Sequence, residues 1–158
     1  MTGFVFMSAF IKQKGNPLSA PLGNVFTLTN ISQIGDKTAS SSTALVKMLS
    51  PLCIREHSRE ENKDSYYSVA GDNFEEYANK IIQKQLINSG FDNEMVKCFS
   101  IQPINSKKTV VFHYGNYIEC SLGEFVLNGD KAIINYLLQS GIGSRKSAGF
   151  GLPILIAE

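Results

Sequence analysis

The residues best placed to do chemistry lie near the end of the chain, in Gly141-Ile142-Gly143-Ser144-Arg145-Lys146-Ser147-Ala148-Gly149-Phe150-Gly151. Glycine permits backbone turns with positive φ and removes the Cβ that keeps a ligand away from the main chain. Consecutive amides can then converge on an anion. Arg145 and Lys146 add positive charge, and Ser144 and Ser147 add hydroxyl donors. A phosphodiester satisfies all of these groups, so Gly141, Gly143, Ser144, Arg145, Lys146, Ser147, Gly149 and Gly151 form the candidate binding set. Two familiar phosphate loops are excluded. A P-loop carries Gly-Lys-Ser/Thr after a strand and before a helix, and a dinucleotide fingerprint also lies between strand and helix. Here the expected helix comes first, the strand second, and Lys146 follows Arg145 rather than glycine. A ligand-free helix-to-strand connection is the plain alternative, but such loops usually run about two to six residues.

Other reactive groups are sparse. The two histidines, His57 and His113, are the candidates for acid–base work. Tyr66, Tyr67, Tyr114 and Tyr117 are candidates for stacking on bases. Cys53, Cys98 and Cys120 fit neither a disulfide framework nor a zinc site, and read as reduced, buried thiols of a cytosolic protein. The residues imply no metal and no cofactor. A net charge of +1 supplies no whole-domain basic field, so nucleic-acid binding must rest on a local patch.

The length of 158 residues fits one domain, and 43% hydrophobic against 18% charged residues argues against disorder. An apolar run over 4–11 reads as a strand, too short to span a membrane and without a basic residue before it. Residues 12–24, rich in Pro and Gly, read as a linker or wide turn. Residues 25–31 alternate as a half-buried strand, 36–42 read as a loop, and 43–55 as a strand broken at Pro51. The charged stretch 56–64 reads as a solvated loop.

Asp72 and Glu75 predict a capping box for a helix carrying Phe74, Tyr77, Ala78, Ile81, Ile82 and Leu86, ended by Gly90. Strands are expected over 96–104 and 109–114, with a turn at Asn105-Ser106 between them. A turn at Gly115-Asn116 leads to a third strand over 117–127. The turn Asn128-Gly129-Asp130 supplies the N-cap of a second short helix carrying Ala132, Ile133, Tyr136, Leu137 and Leu138, and 152–157 is the last strand. The expected organisation is an N-terminal strand and linker over 1–23, then one α+β ferredoxin-like domain over 24–158. Its order is β-α-β-β-α-β, with an extra N-terminal strand or hairpin.

The glycine loop between last helix and last strand resembles that of the repeat-associated RNA-binding (RAMP) superfamily. Within it, the chain is similar to the CRISPR RNA-processing endoribonucleases, the Cas-six family. The segment Leu49-Ser50-Pro51-Leu52-Cys53-Ile54-Arg55 is a second likeness, similar to the Ser-Pro strand that opens the family's second ferredoxin-like domain. The resemblance covers roughly residues 24–158. It implies binding of a CRISPR repeat RNA and metal-independent cleavage in which the RNA's own 2′-hydroxyl is the nucleophile. Members generally have two such domains, with the catalytic histidine in the first. The first domain is expected to be lacking here, and neither His57 nor His113 matches the family's catalytic position.

The expected function is therefore a non-catalytic module that binds CRISPR RNA or effector-complex subunits, such as a virus-encoded anti-CRISPR mimic. The alternatives are an active endoribonuclease, as a homodimer or with a partner supplying the missing half, and an unrelated ferredoxin-like interaction domain. The expected location is the cytoplasm of a prokaryotic cell or phage-infected host.

Overall fold

A computed structural model describes residues 2–31 and 37–158. Residues 32–36, where the sequence places the start of an expected loop, lie outside the described residues. The chain divides into two compact units, Met1–Asp36 and Lys37–Glu158.

In the first unit, α1 (Thr2–Gln13) leads to a small antiparallel hairpin of β1 (Pro17–Ser19) and β2 (Val25–Thr27), turned through a short 3-10 segment at Pro21–Gly23. The strand expected over 4–11 is thus a helix. A continuous apolar run carries no period, so the eight residues fit either element, and they lie within a helix of 12 residues. The linker at 12–24 contains the first strand of the hairpin. The alternating strand at 25–31 shrinks to three residues, all exposed, so its alternation marks no buried face.

The second unit is built on a four-stranded antiparallel sheet in the order β6-β7-β3-β8. Its strands are β3 (Thr43–Met48), β6 (Ser100–His113), β7 (Asn116–Asn128) and β8 (Pro153–Ala157). Helix α2 (Phe74–Asn88) runs between β3 and β6, and α4 (Lys131–Ser140) between β7 and β8. This is the β-α-β-β-α-β arrangement with the ferredoxin-like strand order. Ala44, Val46 and Met48 of β3, Phe125 and Leu127 of β7 and Leu155 of β8 meet Phe74, Ala78, Ile82 and Leu86 of α2. Ile133, Ile134 and Leu137 of α4 complete the same core.

Local chemistry explains the boundaries. Asp130 caps α4 by accepting from the amide of Ala132 at 2.7 Å. Helix α2 starts after Asn73, whose side chain makes no cap bond, so the expected box at Asp72 and Glu75 does not form. Glu75 and Glu76 instead face the positive end of the helix dipole. The β6–β7 turn is Tyr114-Gly115, one residue earlier than expected. Both have positive φ (48° and 78°), as a type I′ turn requires.

Two further expectations are corrected. Residues 96–104 and 109–114 are not two strands: α3 (Asn93–Lys97) comes first, then β6 runs unbroken to His113. The pattern break read as a turn at Asn105-Ser106 is a register shift between Pro103 and Asn105. The charged stretch 56–64 is no loop either. It belongs to a hairpin of β4 (Ile54–Ser58) and β5 (Lys63–Tyr67), which leaves the segment before it, 49–53, as the connection from β3. Cys53 and Cys120 are buried, but Cys98 is exposed. Among the described residues no helix is long and apolar enough to cross a membrane.

The segment ahead of β3 is pinned by Asn135 of α4. Its Oδ1 accepts from the amide of Ala39 at 2.7 Å and its Nδ2 donates to the carbonyl of Ala39 at 3.0 Å. Replacing Asn135 with Ala removes both bonds and strands two backbone groups at a buried residue. The expected loss is about 1–3 kcal/mol in denaturant unfolding, with faster amide exchange at Ala39.

Candidate functional site

The glycine loop folds back onto the connection between β3 and β4. The amide of Gly151 donates to Pro51 O at 2.9 Å and that of Ser144 to Cys53 O at 2.8 Å. Ile142 donates to Gly151 O at 2.8 Å, which closes the loop on itself, and Leu152 donates to Ser50 Oγ at 2.9 Å. Gln85 of α2 completes the clamp. Its Nε2 donates to Gly141 O and its Oε1 accepts from the amide of Gly143, both at 2.9 Å. Sequence reading missed Gln85, because a polar residue between Ile82 and Leu86 reads as a helix surface position.

The space that glycine leaves is used by the protein itself. A Cβ on Gly143 would lie 2.7 Å from Cys53 O, and one on Gly151 would lie 2.0 Å from Ile142 O. These two glycines are required for closure rather than for access of a ligand. What faces outward is the turn at Lys146–Ala148, preceded by Arg145 in the left-handed region (φ 57°). The amides of Arg145, Lys146 and Ser147 have no backbone partner among the described residues. Ser144 and Lys146 are half-buried, and Ser147 and Gly149 are exposed.

Arg145 is committed elsewhere. Its guanidinium donates to Tyr66 Oη at 2.6 Å and reaches Asp64 Oδ2 at 3.3 Å. Asp64 sits at the centre of a network: it accepts from Arg55 Nη1 at 3.0 Å and Tyr66 Oη at 3.1 Å, and pairs with His57 Nδ1 at 2.9 Å. Burial pushes the Asp64 carboxyl up, but hydrogen bonds from His57 and Arg55 and the Arg55 charge outweigh it, so its pKa lies below the ordinary carboxylate value. Tyr66 is raised, because burial outweighs the opposing Arg145 bond and charge.

A groove of about 440 Å³ opens between β4, α2 and the loop, lined by Arg55, Glu56, His57, Arg59, Lys80, Lys84, Gln85, Gly143 and Ser144, with Ile81 and Asn88. Glu56 is its sole carboxylate, and it pairs with Lys80 at 2.7 Å, which lowers its pKa. Arg59 and Lys84 have no ion-pair partner among the described residues. The chain's local basic patch is here, and Arg59, Lys80 and Lys84 were not singled out by sequence. Lys80 and Lys84 lie on the polar side of α2, and the polar hairpin that brings Arg59 beside them was invisible to hydrophobic periodicity.

The structure brings His57 to this groove and leaves His113 outside its lining. The His113 ring packs edge-on against Phe150 at 5.5 Å, and its Nε2 is buried without a partner among the described residues. Of the stacking candidates, Tyr67 lies flat on Tyr77, centroids 3.7 Å apart, and Tyr66 serves the Asp64 network. Tyr114 and Tyr117 are exposed. Among the described residues no cluster of three or more His, Cys, Asp or Glu side chains could hold a metal.

The model of the family described as "CRISPR associated protein Cas6, C-terminal" matches residues 34–153. No curated protein matches by sequence. Three solved structures share the fold. A Cas6-related protein from Pyrococcus furiosus is 24% identical, with a TM-score of 0.68, covering 85% of this chain and 56% of its own. A RAMP protein described as binding different RNA substrates is 23% identical, with a TM-score of 0.75, covering 98% and 65%. A structure described as CRISPR associated protein Cas6 is 19% identical, with a TM-score of 0.68, covering 98% and 64%. The chain therefore spans less than two thirds of the length of each of these three structures.

The glycines separate by substitution. Gly143→Ala and Gly151→Ala force backbone apart and are expected to cost at least several kcal/mol, or to abolish folding. Gly149→Ala has open space and carries only the left-handed penalty, about 1–2 kcal/mol, readable in denaturant unfolding.

Asp64 gives a pH-dependent outcome. Its folded pKa is depressed, so its stabilisation is complete above the unfolded value of about 3.9 and is lost as pH falls through the folded value. Asp64→Ala is expected to lose about 1–3 kcal/mol at pH 7, with the deficit closing toward pH 2 in parallel unfolding curves.

Proposed function

The chain belongs to the Cas6 C-terminal family, and from that premise we propose that its groove and loop turn hold the sugar-phosphate backbone of CRISPR RNA. The observation that carries the reading is the groove beside the loop. Arg59 and Lys84 stand there with no ion-pair partner among the described residues, beside Arg55 and Lys80, which pair with Asp64 and Glu56, in a chain whose net charge is only +1. A concentrated cationic strip on a nearly neutral protein suits a polyanion and not a small neutral ligand. The amides at 145–147, which have no backbone partner among the described residues, add donors beside that strip. In this reading the groove is one wall of an RNA cleft, and an effector subunit or a second copy of the chain is the partner expected to face it. Acting against a CRISPR system, as a mimic displacing the processing nuclease, uses the same wall. The unrelated interaction domain is set aside by the family match.

A second reading rests on His57. Its Nδ1 is engaged by Asp64, which orients the ring and leaves Nε2 for the groove. In the active-endoribonuclease alternative that nitrogen takes the proton of the 2′-hydroxyl, and Tyr66 and Arg145 lie across the same carboxylate.

Titration of labelled repeat RNA at several salt concentrations tests the first reading. Affinity is expected to fall with salt. Arg59→Ala and Lys84→Ala should each lower the log–log slope by about 0.7–0.9 for every phosphate that the variant no longer neutralises. Salt-independent binding, or no binding, counts against it. Incubation of the same RNA in a chelator tests the second. Product that disappears in His57→Ala while RNA is still bound supports catalysis, and intact RNA in the unaltered protein refutes it.

A further inference from the structure

Behind the glycine loop lies a pair of groups that RNA binding does not use. Cys53 and Cys120 are both fully buried and both free thiols. With Ile118 and Phe150 they form a small cluster, against which Tyr66 and Val111 pack. Their chain neighbours Leu52 and Ser121 make an isolated antiparallel bridge. Leu52 donates to Ser121 O at 2.8 Å, and Ser121 donates to Leu52 O at 3.0 Å.

One step along an antiparallel ladder from such a hydrogen-bonded pair comes a non-hydrogen-bonded pair. There the Cα atoms lie about 4.5 Å apart and the side chains share a face. Cys53 and Cys120 occupy that position. The Cys53 carbonyl agrees with it, since it accepts from Ser144 in the glycine loop rather than from β7. A Cα separation of about 4.5 Å falls within the span of a disulfide, roughly 4.4–6.8 Å. The thiols are also unequal. The bond from Cys120 holds the Cys53 thiol below its ordinary value, against burial and with help from Arg145 and Arg55. Its counterpart bond and burial push Cys120 up.

We propose that Cys53 and Cys120 are a modification site, an internal dithiol that hydrogen peroxide closes to a disulfide directly beneath the glycine loop. The Cys53 sulfur attacks one peroxide oxygen and the O–O bond breaks. The leaving hydroxide takes the thiol proton and departs as water, which leaves Cys53 as the sulfenic acid. The Cys120 sulfur then attacks the Cys53 sulfur: the S–S bond forms, the S–O bond breaks, and the hydroxide leaves as water with the Cys120 proton. Two thiols are oxidised and one peroxide is reduced to two waters. Phe150, the most accessible member of the cluster at 7%, is the loop side chain that must move to admit an oxidant little larger than water. The Cys53 carbonyl anchors Ser144 and lies against Gly143, so the new bond ties the loop's seat to β7. This inference stands whether or not the loop holds RNA.

The test treats the full chain with hydrogen peroxide, then denatures, alkylates and digests it for mass spectrometry. The expected product is a peptide pair joined through Cys53 and Cys120, two hydrogen atoms lighter than the free peptides and separated by dithiothreitol. The same product is expected in Cys98→Ser, which removes the exposed thiol. In the oxidised chain, amide exchange at Ser144 should slow. Cys120→Ser should stop at a Cys53 sulfenic acid trapped by dimedone. If that variant does not fold, the Cys98→Ser protein decides alone. Retention of both thiols in alkylatable form after peroxide treatment overturns the proposal. So does the appearance of sulfonic acids or cross-chain links in place of the internal bond.

Discussion

The close approach of the loop 141–151 to the connection 50–53 is the constraint on which the rest of the site depends. Pro51 has no amide hydrogen, so at this seam it can only accept, and it accepts from Gly151. Cys53 accepts from Ser144 two residues later, and Ser50 Oγ takes the amide of Leu152. These three bonds set the exit angle of β8 and bring it beside β3. They also bring the far end of the chain to the start of the β4–β5 hairpin, and so build one wall of the basic groove. A side chain at Gly143 or Gly151 pushes the seam open. The loop's composition therefore answers first to packing, and Ser147, Ala148 and Gly149 are what it leaves exposed.

Charge is arranged on the same logic. Asp64 neutralises two guanidiniums, Arg55 and Arg145, that the fold brings close together. Without it the hairpin and the loop would repel across their contact. Arg145 thereby serves as a tether between β5 and the loop, and the guanidinium that sequence reading assigned to a ligand is spent within the protein. Around the loop and groove, the cations without an ion-pair partner among the described residues are Arg59, Lys84 and Lys146, with Lys80 half-engaged by Glu56. One carboxylate thus decides which positive groups are structural and which are available. The balance holds only while it is ionised, and the hydrogen bonds it accepts keep it so well into the acid range.

What the sequence made legible was what hydrophobic period and turn chemistry encode. Helix α2 follows from Phe74, Ala78, Ile82 and Leu86 at helical spacing, and α4 from Asp130 and the apolar residues behind it. The glycine loop and the Ser50-Pro51 segment were each visible, but not that they bind one another, because backbone hydrogen bonds between distant segments leave no pattern in residue type. The β4–β5 hairpin was missed for a related reason. Glu56-His57-Ser58 and Lys63-Asp64-Ser65 bury side chains only partly, so a period-two apolar signal is absent. The helix α1 was misread because an unbroken apolar run fits either period. Gln85 escaped because its partners are main-chain groups of the loop, which no side-chain pattern announces.

Holding a phosphate backbone and cutting it place different demands on these groups. Holding needs positive charge and donors at roughly the spacing of phosphates, and small shifts in each are tolerated because the interaction is long-ranged. Cutting needs a base on the 2′-hydroxyl and an acid on the leaving oxygen, both within hydrogen-bond reach at once. For the first demand, cations and donors reach the groove from four separate places, β4, the β4–β5 turn, α2 and the loop. Toward the second it offers a single imidazole, and that imidazole is held by the same carboxylate that restrains Arg55, Tyr66 and Arg145. Any movement that frees one of these groups for a reacting phosphate disturbs all of them together. The network therefore keeps this wall of the groove in place and holds its charged groups still.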